Sequence, residues 1–335
     1  MKKFQKMLPV ILCICVFSTL ALGSGSSNTT NTSSATQNPT DSLEKETTKA
    51  NTETESESAT SSPEQDSSQT DFYVGDTLSV DGLNITYVSS CNYVSDNEFI
   101  QPADGNKFIR LAFHVDNQSD ADCSVSSFDF QCYADGYDCQ ASYQEDDLSA
   151  SLSPGRTSDG AVYFEVPTDA ENIEIEYTLN WISGDKVKFI FEGDKESELV
   201  FEKNTSANTN AYHVGDVIET SKLRINYNKA AEYVSDNMFL TPADGMKYAY
   251  IELEIENLSD SDQTISYFSF TCYADGVSCN GFYGMDDALS ASLSPGRKAK
   301  GTIAFEVPKD AQVIEFEFED NFWTENKLVF LYEEN

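Results

Sequence analysis

From Tyr73 onward the chain is written twice. YVGD at Tyr73 returns as HVGD at His213, YVSDN at Tyr93 returns at Tyr233, PADG at Pro102 at Pro242, and CYADG at Cys132 at Cys272, each displaced by 140 residues. Ala288 is then inserted, and LSASLSPGR and FEVP recur at a displacement of 141. An internal duplication of this length predicts two homologous domains, at 72–202 and 212–335, joined by the polar linker 203–211.

Within each copy the hydrophobic period is two. NIEIEYTL sets Ile173, Ile175, Tyr177 and Leu179 against Asn172, Glu174, Glu176 and Thr178. IEFEFE does the same with Ile314, Phe316 and Phe318 against Glu315, Glu317 and Glu319. FIRLAFHV places Ile109, Leu111, Phe113 and Val115 opposite Arg110, Ala112 and His114. Each such strand is expected to bury one face and wet the other. Further strands are predicted over 83–88, 125–133, 137–143, 160–166 and 187–192, separated by turn sequences such as Asn117-Gln118-Ser119-Asp120 and Ser153-Pro154-Gly155. No window carries a helical period. The fold class is therefore all-β: two tandem immunoglobulin-like antiparallel β-sandwiches, with a barrel as the lesser alternative.

Ahead of the repeats, Lys2, Lys3 and Lys6 precede the apolar run Met7–Leu22, which ends at Ala21-Leu22-Gly23. That is the layout of a secretory signal peptide, 1–23. The run is too short to span a bilayer comfortably, so no membrane insertion is expected after cleavage. No cysteine stands at the cleavage point, so a lipid anchor is not expected either, and the chain is read as secreted or extracellular, with surface association left open. Residues 24–71 are Ser, Thr, Asn, Gln and Glu with almost nothing apolar, the composition of a disordered linker. A formal net charge of −36 excludes nucleic acid as a partner, because phosphates would be repelled.

The order VGD, KFIRLAFHVDNQSD, a hairpin Asp-Gly, LSPG and GAVYFEVP resembles a bacterial family of secreted immunoglobulin-like domains of unknown function. That family is common on lipoproteins of Gram-positive bacteria, with a fold like that of the mycobacterial immunoprotective extracellular protein. The resemblance covers nearly the whole of each repeat and implies a fold and an extracellular setting, not a reaction.

CYADGYDC and CYADGVSC carry the chain's repeated cysteines. Asp135-Gly136 suits the centre of a type I′ hairpin, which sets Cys132 opposite Cys139; Asp275-Gly276 does so for Cys272 and Cys279. In an oxidising compartment these are read as disulfides, with metal and redox roles disfavoured by the lack of CxxC, histidine or neighbouring cations. Cys91 and Cys123 have Ala231 and Gln263 as counterparts, and their joint absence from the second copy predicts a Cys91–Cys123 bond.

No Ser-His-Asp or Cys-His set is legible: His114 and His213 correspond to Glu254 and Tyr73, and each is expected at the surface. Glu174 and Glu176 have a spacing that inverting glycosidases use, but they belong to a wet strand face. Loop residues present in both copies are better candidates. Tyr93, Tyr143, Tyr233 and Tyr283 could stack on a sugar or a protein, or else pack beneath the loops. Asp96, Asp104, Asp146, Asp147, Asp236, Asp244, Asp286 and Asp287 could offer oxygen ligands to calcium, or else shape turns. Arg156 and Arg297 are expected to pair with the acidic surface. The expected function is a noncatalytic binding module for an extracellular protein or glycan, without cofactor. A calcium-binding domain pair is the alternative, and an extracellular hydrolase the third reading.

Overall fold

The computed structural model describes residues 69–144, 146–180, 184–235, 237, 239–319 and 327–333. The expected signal peptide and almost all of the 24–71 linker lie outside them. Among the described residues no helix is long and apolar enough to cross a membrane.

The first domain runs through β1 (Asp71–Phe72), β2 (Thr77–Val80), β3 (Leu83–Tyr93), β4 (Asn106–Asn117), β5 (Cys123–Ser126) and β6 (Phe130–Ala134). It continues with β7 (Tyr137–Asp138), β8 (Gln140–Ser142), β9 (Ser149–Leu152), β10 (Thr157–Pro167), β11 (Ile173–Asn180), β12 (Asp185–Ile190) and β13 (Lys195–Glu196). The second opens with β14 (Val217–Glu219), β15 (Leu223–Tyr233), β16 (Met246–Asn257), β17 (Gln263–Ile265), β18 (Phe270–Ala274) and β19 (Val277–Ser278). It closes with β20 (Asn280–Phe282), β21 (Ala291–Leu293), β22 (Lys298–Pro308), β23 (Ile314–Glu319) and β24 (Lys327–Leu331). Each domain is a β-sandwich. One layer of the first is β13-β3-β4-β10 with β2 and β8, and the other is β1-β12-β11-β6-β7. The second repeats this as β14-β15-β16-β22-β20 against β19-β18-β23-β24.

Period-two alternation explains the layers. Ile109, Leu111, Phe113 and Val115 on β4 are almost wholly buried, as are Ile173, Ile175 and Tyr177 on β11. Burying one such side chain contributes about 2 kcal/mol. Phe113 anchors the first core, with Tyr87, Phe130 and Phe189 rings at 5.3, 5.1 and 4.9 Å. The β3–β4 ladder slips between Tyr87 and Ser89, and β15–β16 slips at the equivalent Tyr227 and Lys229, so even the bulge is duplicated. Asn117 and Asn257 are fully buried, and each side-chain amide donates to two carbonyls, Ala121 and Leu152 or Ser261 and Leu293. Gly160 and Gly301 lie where the chain crosses itself: a Cβ would come within 2.8 Å of the Leu148 and Leu289 Cα atoms.

Three local expectations are corrected. The strand predicted over 125–133 is split by a 3-10 turn, Ser127–Asp129, because Ser126 and Asp129 form a capping box that competes with strand pairing. The strand predicted over 137–143 breaks at Cys139 into β7 and β8. His114 is not at the surface. It is 7% exposed, stacked at 3.7 Å on Phe201 of the segment after β13, with Nδ1 2.7 Å from Asp159.

The two sandwiches are joined by a polar contact that the alternation conceals. β10 meets β19 at a single parallel pair, Thr157 and Val277, with the Thr157 N–H donating to the Gly276 carbonyl at 3.1 Å. Beside it the Arg156 guanidinium bonds Glu315 at 2.6 Å and Glu317 at 2.8 Å, and lies 4.6 Å from the Tyr273 ring centroid. Ser153 donates to Glu317 and receives Lys327 at 2.6 Å, while Lys327 also reaches Asp122 at 2.7 Å. Glu315 and Glu317 were expected on a wet face; instead they are 1% and 4% exposed, because the first domain covers them. The 203–211 segment follows the joint, and the Asn208 N–H donates to Glu315.

Candidate functional site

β3 ends at Tyr93, opposite Phe108 on β4, and the loop 94–105 returns the chain over that end of the sandwich. Arg110 and Tyr163 are cross-strand partners on β4 and β10, so their side chains rise side by side. Arg110 donates to Tyr163 Oη at 2.8 Å and to Asp146 at 2.7 Å, and the Tyr163 hydroxyl donates to the second Asp146 oxygen at 2.5 Å. Burial alone would lift the Asp146 carboxyl, but the hydrogen bonds from Tyr163 and Arg110 hold it below its ordinary value. Burial and the bond to Asp146 push the Tyr163 phenol up. The trio is a charge-compensated floor in which both Asp146 oxygens and the Tyr163 hydroxyl are bonded within the group. Tyr93 packs edge-on against Tyr163 at 4.8 Å and its hydroxyl reaches Gln144. With Ser95, Asp96 and Tyr143 these residues line an open cleft of about 560 Å³.

In the second domain the same place is filled. Ser142 is replaced by Phe282, Phe108 by Tyr248 and Tyr163 by Ala304. Phe282 stacks on Tyr248 at 3.8 Å and meets Tyr233 at 5.6 Å, with Leu240 and Met285 packed around them. A Cβ at Gly284 would run into the Phe282 ring, which is why glycine stands where the first domain has Gln144.

Around both loop ends the same four apolar side chains are exposed. Val94, Phe99, Phe128 and Tyr143 are 82, 88, 75 and 53% exposed, and Val234, Phe239, Phe268 and Tyr283 are 77, 85, 85 and 64% exposed. Sequence reasoning selected Tyr143 and Tyr283 but missed the phenylalanines. Phe128 lies within the strand predicted over 125–133, whereas Phe128 and Phe268 sit on 3-10 turns, which a Ser-x-x-Asp motif signals in the first copy. Tyr93 and Tyr233 are half-buried and serve mainly as packing.

The aspartates expected to offer calcium ligands are not brought together. Asp146 is bound to Arg110 and Tyr163, Asp147 accepts the Gln144 N–H, and Asp287 accepts the Thr302 hydroxyl. Asp96, Asp104, Asp244 and Asp286 lie in exposed loops. Asp236 lies outside the described residues. Among the described residues no three acidic, histidine or cysteine side chains form a metal-holding group.

The cysteine hairpins have the expected backbone. Asp135 and Gly136 have φ of 49° and 82°, Asp275 and Gly276 of 51° and 84°, as a type I′ turn needs. The Cys139 N–H donates to the Cys132 carbonyl at 3.0 Å, and Cys279 to Cys272 at 2.9 Å, so each pair stands directly opposite. All six described cysteines carry free thiols, and burial pushes Cys132 and Cys272 up, with the facing cysteine adding to the shift. The expected Cys91–Cys123 bond is overturned. Leu83 faces Asn117 at one end of the β3–β4 ladder, where the Asn117 side chain bonds the carbonyl of Leu152, the partner of Cys123. Cys91 sits eight residues along β3, opposite Arg110. At ~3.3 Å per residue that is ~26 Å, far beyond the ~6 Å that a disulfide spans between Cα atoms.

A tandem of β-sandwiches with a polar joint and aromatic loop ends is thus the class of protein that the geometry defines. The chain belongs to the family described as Domain of unknown function (DUF4352), whose model matches residues 72–187 and 212–328. No functionally curated protein matches the sequence. Among solved structures it is similar to the ycdA protein of Bacillus subtilis, at 10% identity and TM-score 0.30, covering 34% of this chain and 37% of that one. The chain therefore spans little more than a third of that protein's length. It is also similar to MPT63, a secreted protein from Mycobacterium tuberculosis, at 10% identity and TM-score 0.28, covering 37% of this chain and 99% of that one. A β-sandwich protein of Clostridium difficile 630 matches at 15% identity and TM-score 0.25, covering 38% and 98%.

Proposed function

We propose that the chain is a noncatalytic secreted or cell-surface interaction module that engages an extracellular protein through the aromatic loop end of each sandwich. The observation that carries this reading is the duplicated exposure of Val94, Phe99, Phe128 and Tyr143 and of their counterparts Val234, Phe239, Phe268 and Tyr283. Side chains of this kind held in water contribute nothing to the core, and clustered exposure on a folded surface marks a place that another molecule covers. The polar cleft in the first domain and the filled one in the second give the two ends different specificities on one scaffold. Two linked ends add avidity without a new contact. Arg110 and Tyr163 both bond Asp146, so its carboxylate is engaged rather than free as a base, which favours binding over turnover.

Arrays of extracellular proteins and of glycans probed with the secreted chain test the reading. A captured protein should lose affinity at least tenfold when Phe128→Ser and Tyr143→Ala are combined, and further when Phe268→Ser and Tyr283→Ala are added. A ligand whose affinity ignores all four changes would overturn the proposed surface, and capture by glycans alone would overturn the partner class. Substrate turnover in a hydrolase panel, lost in Asp146→Asn, would overturn the noncatalytic reading.

A further inference from the structure

The joint between the sandwiches is head-to-tail. The Ser153-Pro154-Gly155-Arg156 loop of the first domain meets Tyr273, Glu315 and Glu317 on the outer face of β18 and β23 of the second. Because the domains are copies, each carries both halves of this contact, and only one half of each is used. Arg156 and Ser153 are buried, while their counterparts Arg297 and Ser294 at the far end of the second domain are exposed. Tyr273, Glu315 and Glu317 are buried, whereas Tyr133, Glu174 and Glu176 on the outer face of β6 and β11 remain partly exposed.

The residues that make the polar contact have identical counterparts on the unused halves. Arg297 stands for Arg156, Glu174 and Glu176 for Glu315 and Glu317, and Tyr133 for Tyr273. The lateral ion pair is duplicated too: Asp262 stands for Asp122, and Lys186 for Lys327. Lys186 at present bonds Glu176 at 2.6 Å, and Lys188 bonds Glu174 at 2.5 Å. Both are solvent-exposed pairs of the kind that contribute little and exchange readily. The Asp135-Gly136 turn, which must accept the next strand as Gly276 accepts Thr157, is open.

We infer that the chain binds a second copy of itself through this same contact, the Arg297 loop of one molecule docking on the Tyr133, Glu174 and Glu176 face of the next. The operation that carries the first domain onto the second, applied again, places another first domain on Arg297. Such a contact is heterologous: each union leaves one free half at either end, so the product is an open chain of molecules and not a closed dimer, unless the rotation returns on itself. The halves differ around these residues: Tyr137 replaces Val277, Lys188 replaces Val329, Lys298 replaces Thr157, Thr178 replaces Glu319 and Gln263 replaces Cys123. The first three changes put bulk and charge at the rim. The copy-to-copy contact also lacks the 203–211 tether, which raises the local concentration of the intrachain halves. It is therefore weaker than the intrachain joint and depends on concentration.

Sedimentation of the secreted chain from ~10 μM to ~1 mM, a range that brackets weak contacts, tests this at physiological ionic strength. The weight-average mass should rise continuously past that of a dimer. Arg297→Glu and the double change Glu174→Lys/Glu176→Lys should each hold the protein at the mass of one chain, and Glu174→Gln/Glu176→Gln should weaken association at least tenfold. An equimolar mixture of an Arg297→Met protein and the Glu174→Lys/Glu176→Lys protein should stop at a dimer, because one intact half remains on each and the leftover methionine and lysines do not pair. These positions are exposed or partly exposed, so an unchanged urea midpoint confirms that each variant is folded. A wild-type mass constant at one chain, association indifferent to Arg297→Glu, or a mixture that grows beyond a dimer or forms none would overturn the inference.

Discussion

Replacing Arg156 by methionine keeps the length of the side chain and removes its charge from the joint. The guanidinium touches Glu315 at 2.6 Å and Glu317 at 2.8 and 3.2 Å, and the two carboxylate side chains are 2% and 5% exposed. Removing one partner of a buried ion pair costs about 3–5 kcal/mol, because the remaining charge has neither water nor a counter-ion. Here Lys327 stays 3.8 Å from Glu317 and the Asn208 N–H still holds Glu315, so the lower end, ~3 kcal/mol, is expected. The loss has a ceiling: once it exceeds the free energy of the joint, the sandwiches part and the glutamates rehydrate. Urea denaturation followed by circular dichroism, with small-angle scattering for the shape, separates the two regimes. Arg156→Met should either lower the unfolding midpoint of the second domain or split one transition into two while the radius of gyration rises. Adding Glu315→Gln and Glu317→Gln should restore most of the loss, since no buried charge is then left unpaired. The control is Lys186→Met. Its partner pair lies at the surface, and the change should cost no more than ~1 kcal/mol. An Arg156→Met protein within ~0.5 kcal/mol of wild type, with the joint closed, would refute the reading of this cluster as the fastening between domains.

A nonreduced digest of protein oxidised in the folded state should link Cys132 to Cys139 and Cys272 to Cys279, leaving Cys91 and Cys123 unlinked to each other; reducing either hairpin should cost about 2.5 kcal/mol. Cys123, whose thiol burial and the neighbouring Asp122 push up to about 11, should alkylate far more slowly at pH 8 in the folded than in the denatured protein. The Asp146 carboxyl is lowered in the fold from 3.8, so its contribution is present above that value and fades as pH falls through the folded value. The urea-midpoint difference between wild type and Asp146→Asn should accordingly hold from pH 8 to pH 5 and shrink below pH 4, and equal differences at pH 7 and pH 2.5 would contradict it. Gly301→Ala, whose Cβ would sit 2.8 Å from the Asp287 carbonyl oxygen and the Leu289 Cα, should destabilise by about 1–3 kcal/mol. Gly296→Ala, with φ of 74° but open space, should cost about 1–2 kcal/mol from backbone strain alone. Phe99→Ser and Phe239→Ser should change the urea midpoint by no more than ~0.5 kcal/mol in equivalent stability, since both rings are in water.

Periodicity made the sandwich legible because a strand buried on one face writes its environment every second residue. Ile109, Leu111, Phe113 and Val115 need no partner to be read as core. The Asp-Gly hairpins were legible for the same local reason: positive φ at two successive positions is a property of the turn residues themselves. The site was less legible. Tyr143 was within reach as a loop aromatic, but Phe99 and Phe128 were not, because an exposed phenylalanine looks like a buried one until the neighbouring strands are placed.

By itself the sequence determined the duplication, the strand alternation that makes each copy a sandwich, and the facing of the hairpin cysteines, all of which depend on neighbours close along the chain. Only the tertiary structure decided which of two equivalent glutamate faces is dry, that Cys91 and Cys123 lie far apart, and that one copy keeps an open cleft where the other is filled. Glu174 and Glu315 stand in the same Ile-Glu-x-Glu alternation. What separates them is that the Arg156 loop covers one and solvent covers the other, and that is fixed by docking between domains, to which strand periodicity is blind.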